Sequence, residues 1–426
     1  MTITPTSRTP QGIPGARCRR PAAAAPANAS AVIGDLAEAP WEPVQDWTVG
    51  YRHGAAGVDV AGNDPGDRAW LDEFLLPWCD VGTAGSAPVC VRMIRSTPIA
   101  EALGREWTRR QAAPRRQPPR PCVRLDTQTI AFDGWSADDG LRLVDPVTGC
   151  TFIVAGTAVD VVAGEGEEQA QLGLLGLVRE VIAGSVAAHR PVVDLHAAAF
   201  ALDGKAVVIA GPKGAGKTSL LCHVLISAGA ALLANDRVFV ATDEAPPVAC
   251  GIPTVVSIRP GTLDAFPRLL ARAAEFPALT RIDPSARRIL DGQAPLPPSA
   301  RPALLLSPAR LAGRLGAARV AEAPLAAIVI AETSAAVAGF VLERLPREAA
   351  QAALDASLYG VAADRSRPTL FGRLAGEAAA GLPPIGDRIA RLAAAVPVYR
   401  CRLGRDAYDR PAAPLLEALG LGASPP

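Results

Sequence analysis

Apolar positions recur along this chain at more than one period, and the changes of period divide it into elements. Leu175, Val178, Ile182 and Val186 return at helical spacing, which predicts an amphipathic helix over about 167–188. Leu141 to Val162 instead alternates around the turn-forming run Asp145, Pro146, Val147, Thr148 and Gly149, the pattern of a hairpin. Further on the pattern predicts a strand around 196–201, a turn at Asp203 and Gly204, and a strand over 206–210. A glycine-rich loop, a helix over about 217–227 and a strand over 230–234 follow, the last ending on Asn235 and Asp236. Strands are expected again at 237–241, 254–258, 326–331, 339–345 and 398–402, with helices at 347–359 and 388–395. Near the start, Trp70 to Trp78 reads as a short amphipathic helix and Val89 to Met93 as a strand.

Residues 1–40 are rich in Pro, Ala, Ser and Thr without any period, and read as a disordered arm. All six tryptophans (Trp41, Trp47, Trp70, Trp78, Trp107, Trp135) fall in the first third, and such rings want a packed environment. A smaller N-terminal lobe is therefore expected over 41–165, and a larger domain over 166–426. The arginine- and proline-rich run 109–120 reads as a solvated loop, with an anionic partner as the other reading. The proline-rich run 294–308 reads as a surface excursion.

Composition narrows the class. Lys+Arg 43 against Asp+Glu 42 leaves a net charge of +1, which argues against nucleic acid or a membrane surface as partner. The 8 cysteines are scattered with no Cys-x-x-Cys pair, so neither zinc-finger spacing nor a disulfide framework is indicated. Reduced thiols in a cytoplasm are the expectation. Apolar runs such as Leu325 to Ala331 fall well short of the roughly 20 residues of a membrane span. Arg19 and Arg20 precede an alanine stretch, but Pro21 and Pro26 interrupt it, so no export signal is read there. A homo-oligomer is compatible with the chain, and nothing in the pattern selects one. His53, His189 and His223 read as structural.

Lysine usage singles out one place. The chain has only three lysines, Lys205, Lys213 and Lys217, against forty arginines, and all three lie in or beside the glycine loop. A guanidinium fork cannot replace a compact ammonium tucked among phosphate oxygens. The loop itself, Gly211, Pro212, Lys213, Gly214, Ala215, Gly216, Lys217 and Thr218, matches G-x-x-x-x-G-K-[ST] between a predicted strand and a predicted helix. In such a loop backbone N–H groups point at the phosphates of ATP, and the helix N-terminus adds partial positive charge. Lys217 would bridge the β- and γ-phosphates and the Thr218 hydroxyl would ligate Mg²⁺. Residues 211–219, including Lys213 and Ser219, form the expected nucleotide contact set. Asp236, at the tip of the next strand, is a candidate for Mg²⁺ ligand or general base.

The stretch from Leu195 and His196 through the loop to Leu232, Leu233, Ala234, Asn235 and Asp236 resembles the catalytic core of HPr kinase/phosphorylase and its bacterial relatives. In that family a histidine lies fifteen residues before the first loop glycine, as His196 lies before Gly211, and an Asp-Asp pair follows one strand after the loop helix. Ser257 to Gly261 is similar to a short Ile-Arg-Gly stretch of the family, which would set Arg259 near the phosphates. The similarity covers roughly 130–410. It implies an α/β fold like that of phosphoenolpyruvate carboxykinases, a P-loop kinase domain on a mixed, largely antiparallel sheet. It also implies ATP- and Mg²⁺-dependent phosphoryl transfer to a serine or threonine hydroxyl, with His196, Lys217, Asp236 and Arg259 in the active site. Two positions depart from the pattern. Asn235 replaces the first acid of the pair, and Ser219 stands where HPr enzymes have Glu. Those departures argue against HPr itself and the reverse phosphorolysis, and by analogy with relatives of this looser type the resemblance implies a peptide or small protein as the acceptor. A P-loop ATPase, a nucleotide-binding accessory protein and a small-molecule kinase share the same motifs and remain open.

Overall fold

A computed structural model describes residues 45–112, 132–137, 140–145, 148–167, 169–259, 262–263, 266, 269, 304–334, 336–337, 339–360, 371–376, 381–404 and 412–421. The arm expected over 1–40, most of the arginine-rich run and residues 294–303 of the proline-rich run lie outside them. The fold is α/β, with mixed, largely antiparallel sheets.

The first sheet holds β1 (Trp47–His53), β2 (Ala56–Gly62), β3 (Asp80–Gly82), β4 (Val89–Arg95), β5 (Asp133–Ala137), β6 (Gly140–Val144), β7 (Thr151–Ala155) and β8 (Ala158–Ala163). Their order is β3-β1-β2-β4-β8-β7-β6-β5. The expected hairpin is the β6–β7 pair, in register from Leu141 against Val154 to Val144 against Thr151. Helix α1 (Pro65–Leu75) starts where the Asp64 side chain accepts from the Gly66 N–H and Pro65 presets the first turn. It stops short of the predicted Trp78 because Pro77 cannot continue it. Helix α2 (Thr97–Ala112) corrects the loop reading at its start: Arg109 and Arg110 close a helix in which Glu101–Arg105 and Glu106–Arg110 pair at i,i+4.

Helix α3 (Ala170–His189) lies over this sheet, burying Leu174, Leu177, Val178 and Val181 against Val58, Val60 and Val91. By length and composition it could cross a membrane, but two thirds of its apolar window (67%) is buried inside the protein, as in the core helix of a globular fold. Gly184 in α3 allows close approach, because a Cβ there would meet Gly372 Cα at 2.4 Å.

The second sheet carries β9 (Val192–Leu195), β10 (Ala197–Leu202), β11 (Lys205–Ala210), β12 (Ala231–Ala234), β13 (Val238–Ala241), β14 (Val248–Gly251), β17 (Glu322–Thr333), β18 (Phe340–Arg344) and β19 (Val398–Leu403). The main path runs β12-β10-β11-β17-β14-β13-β9, with β19 beside β17 and β18 beside β19. A separate pair joins β15 (Val256–Ile258) and β16 (Leu304–Leu306). Helices α4 (Lys217–Ser227) and α5 (Pro308–Leu315) share one core with the sheet; α6 (Arg347–Ala356) and α7 (Ile385–Ala395) share another; α8 (Ala413–Ala418) closes the described chain.

Strand β10 separates those two cores. Ala198 and Phe200 pack with Leu221 and Val224 of α4, whereas Ala197, Ala199 and Ala201 pack with Leu354, Ile389 and Leu392. Burial on both faces explains why this strand is apolar at every position. Three further expectations change. His196 lies between β9 and β10, not within a strand; β14 was not anticipated; and Leu304 to Pro308 belongs to β16 and the start of α5, not to a surface excursion.

Candidate functional site

Strand β10 runs antiparallel to both neighbours, β11 and β12. Its first end therefore meets the carboxyl ends of those two strands, with Ala197 opposite Ala210 and Ala199 opposite Ala234. The glycine loop leaves β11, Asp236 follows β12, and His196 precedes β10, so the topology brings all three to one edge of the sheet.

The loop takes its shape from glycine. Gly211, Gly214 and Gly216 have φ of 137°, 89° and 88°, which side-chain-bearing residues rarely adopt. Ala215 N–H donates to Pro212 O, closing the turn, and Gly216 precedes the first turn of α4. No acidic side chain stands in that turn, so the positive end of the helix is uncompensated by its own residues. Lys217 is buried and its ammonium donates back to Gly211 O at 2.8 Å and Pro212 O at 3.3 Å. Burial lowers its pKa below the ordinary 10.5; Asp236 opposes that shift and Arg259 adds to it. Both groups thus lie within electrostatic reach of Lys217. Arg259 also borders the loop, since a Cβ on Gly214 would sit 3.8 Å from its Nη1.

Asp236 is 41% exposed and its Oδ1 lies 2.9 Å from His196 Nε2. That contact fixes one carboxylate oxygen of a side chain that is still partly open to solvent. Two anchors hold Asp236 in place. Its carbonyl accepts from Ala197 N–H, and the adjacent Arg237 is buried among Asp194 at 2.8 Å, Glu180 at 2.8 Å and the Tyr359 ring at 4.2 Å. Burial works against the Arg237 charge, but Asp194 and Glu180 outweigh it and raise its pKa.

Asn235 points the other way. It is 5% exposed, its Oδ1 accepts from Thr254 Oγ1 at 3.2 Å, and it lines a cleft between the sheets with Trp78, Leu233 and Arg319. Among the other expected contact residues, Pro212 and Lys213 are exposed, Ala215 is buried and Thr218 is half-buried at the first turn of α4. Ser219 Oγ lies 3.1 Å from Thr262 Oγ1, tying the helix to the turn after Arg259.

Tyr359 is a residue that sequence reading missed. The helix expected to reach it ends at Ala356, and Ser357 to Tyr359 runs beside β9, with His196 N–H donating to Ser357 O. Tyr359 then meets His196 edge-on at 6.3 Å while covering Arg237. Gly360, just past Tyr359, suits a helix that ends at Tyr359, so nothing local marked the earlier end at Ala356.

No protein-family model matches this chain, and no curated protein matches it significantly.

Proposed function

We propose that this protein is an ATP-dependent kinase of the HPr-kinase-like type, transferring the γ-phosphate to a serine or threonine hydroxyl of a peptide or small protein. The observation that carries this reading is the convergence of Lys217, Asp236, His196 and Arg259 on the glycine loop at one sheet edge. A phosphate-binding loop alone would suit many functions. An accessible carboxylate held by a histidine beside it supplies what transfer to a hydroxyl needs.

In this reading the loop amides and the N-terminus of α4 hold the β- and γ-phosphates, and Lys217 turns from the loop carbonyls to the phosphate oxygens. The donor set fits Mg²⁺: the Thr218 hydroxyl, on the helical turn that follows β11 and the loop, and the partly exposed Asp236 carboxylate, just after β12, are both hard oxygen ligands. Bound there, Mg²⁺ would neutralise phosphate charge and align the γ-phosphate. Asp236 orients or deprotonates the acceptor hydroxyl. His196 holds the carboxylate in position, and Arg259 offsets charge on the equatorial oxygens.

The test incubates the full chain with Mg²⁺, ATP labelled in its γ-phosphate and a serine/threonine peptide library. Label on peptide hydroxyls, lost in Lys217→Met, supports the kinase. Free labelled phosphate without labelled peptide supports an ATPase, and neither product supports a nucleotide-binding accessory protein.

A further inference from the structure

A second group of chemically able side chains stands at the seam between the two sheets, away from the glycine loop. His53 ends β1 of the first sheet, while Cys250 on β14 and Glu322 at the start of β17 are register partners in the second. One ligand atom from each of the three lies within 4.8 Å of the others, the one such trio among the described residues. Cys250 Sγ is 3.3 Å from His53 Nε2. We propose that His53, Cys250 and Glu322 bind a zinc ion that ties the first sheet to the second.

Three observations support the assignment. The donors are an imidazole nitrogen, a sulfur and a carboxylate oxygen, the set zinc takes, and three of them leave a fourth position for water. Zn–N near 2.0 Å and Zn–S near 2.3 Å put tetrahedral ligand atoms about 3.5 Å apart, so the trio needs little closure. Trp78 supplies the outer contacts. Its carbonyl oxygen lies 2.8 Å from His53 Nδ1, which puts the proton on Nδ1 and turns the Nε2 lone pair toward the sulfur. Its indole N–H donates to Cys250 Sγ at 3.2 Å, and its ring stacks on His53 at 5.2 Å. On binding, the Cys250 thiol gives its proton to solvent as the S–Zn bond forms, and the ion stays divalent.

The same seam is held elsewhere by ordinary contacts. Ser307 and Arg310 bond to Glu73, and Arg319 donates to Leu76 O. Removing one ligand should therefore leave the fold intact, and Glu322, being exposed, is the safest to change.

The test strips the full-length protein with a chelator and titrates it with Co²⁺ as a spectroscopic stand-in for zinc. The expected result is one ion per chain with a thiolate-to-cobalt charge-transfer band. That band is lost in Cys250→Ser, and Glu322→Gln weakens binding by about tenfold or more. Zn²⁺ should raise the Tm of the wild type and not that of Cys250→Ser. Absence of the band in the wild type would overturn the proposal, as would Co²⁺ affinity unchanged in both Glu322→Gln and His53→Ala.

Discussion

Lys217 carries its charge in a place that disfavours it. Burial lowers its pKa, so in the unliganded protein stability rises with pH between the lowered value and the ordinary 10.5, where the unfolded chain binds more protons. Phosphate oxygens beside the ammonium would restore the pKa. Nucleotide binding should then take up a proton as pH climbs through the lowered value, and affinity should fall across that range. Calorimetric titration with MgATP in buffers of different ionisation enthalpy measures the uptake; none at alkaline pH would mean the ammonium stays on the loop carbonyls. Asp236→Asn should lower turnover by about a hundredfold or more, the scale of removing a general base or displacing a metal ligand. Recovery at raised Mg²⁺, read from initial rates of ADP formation, assigns it chiefly to the metal; persistence of the loss assigns it to the base. Asn235, buried and bonded to Thr254, offers a different experiment. In Asn235→Asp the new carboxyl would be desolvated in that buried position, which raises its pKa. The folded state would then hold more protons than the unfolded one, so the stability of the variant relative to wild type should fall between about pH 4 and pH 8. Denaturant titrations across that range measure it, and a flat difference would show the site to be wet.

At the scale of elements, the strand–loop–helix around 205–227 was legible because everything that determines it is local. An apolar run enters, glycines turn, and an apolar-faced helix leaves, within one short stretch. Strand β14 was not legible for the opposite reason. Its four residues follow Pro246 and Pro247, and it becomes a strand by pairing with β13 and β17. Gly251 at its end passes so close to β12 that a Cβ would sit 1.8 Å from Leu233 O. Gly251→Ala must push those strands apart two residues from Asn235, and should cost about 1–3 kcal/mol of stability or more. Chemical denaturation checks this; an unchanged midpoint would mean the strands separate freely. Helix α2 escaped notice because its surface is arginine-rich, and its charges pair along the helix face at a spacing a composition count does not register.

For the whole molecule, the residues that converge do so through topology. His196, Lys217 and Asp236 were named from spacing and resemblance, but the reason they meet is that β10 runs antiparallel between β11 and β12. The network behind them, Glu180 of α3 with Asp194, Arg237 and Tyr359, draws on four separated segments and left no sequence signal. The same holds for His53, Cys250 and Glu322, which read as structural or went unremarked because no spacing joins them. Individual strands and helices could be read from hydrophobic period, and the α/β class with mixed, largely antiparallel sheets was what the resemblance implied; the first two strands and the way the two sheets meet were in neither. The central claim rests on the glycine loop as the seat of MgATP, and equilibrium titration of the full chain with ATP and Mg²⁺ tests it most directly. The account predicts saturable MgATP binding by the wild type, lost in Lys217→Met and not recovered in Lys217→Arg, with all three proteins equally folded by circular dichroism. Undetectable binding by the wild type, or wild-type affinity in Lys217→Met, would contradict it.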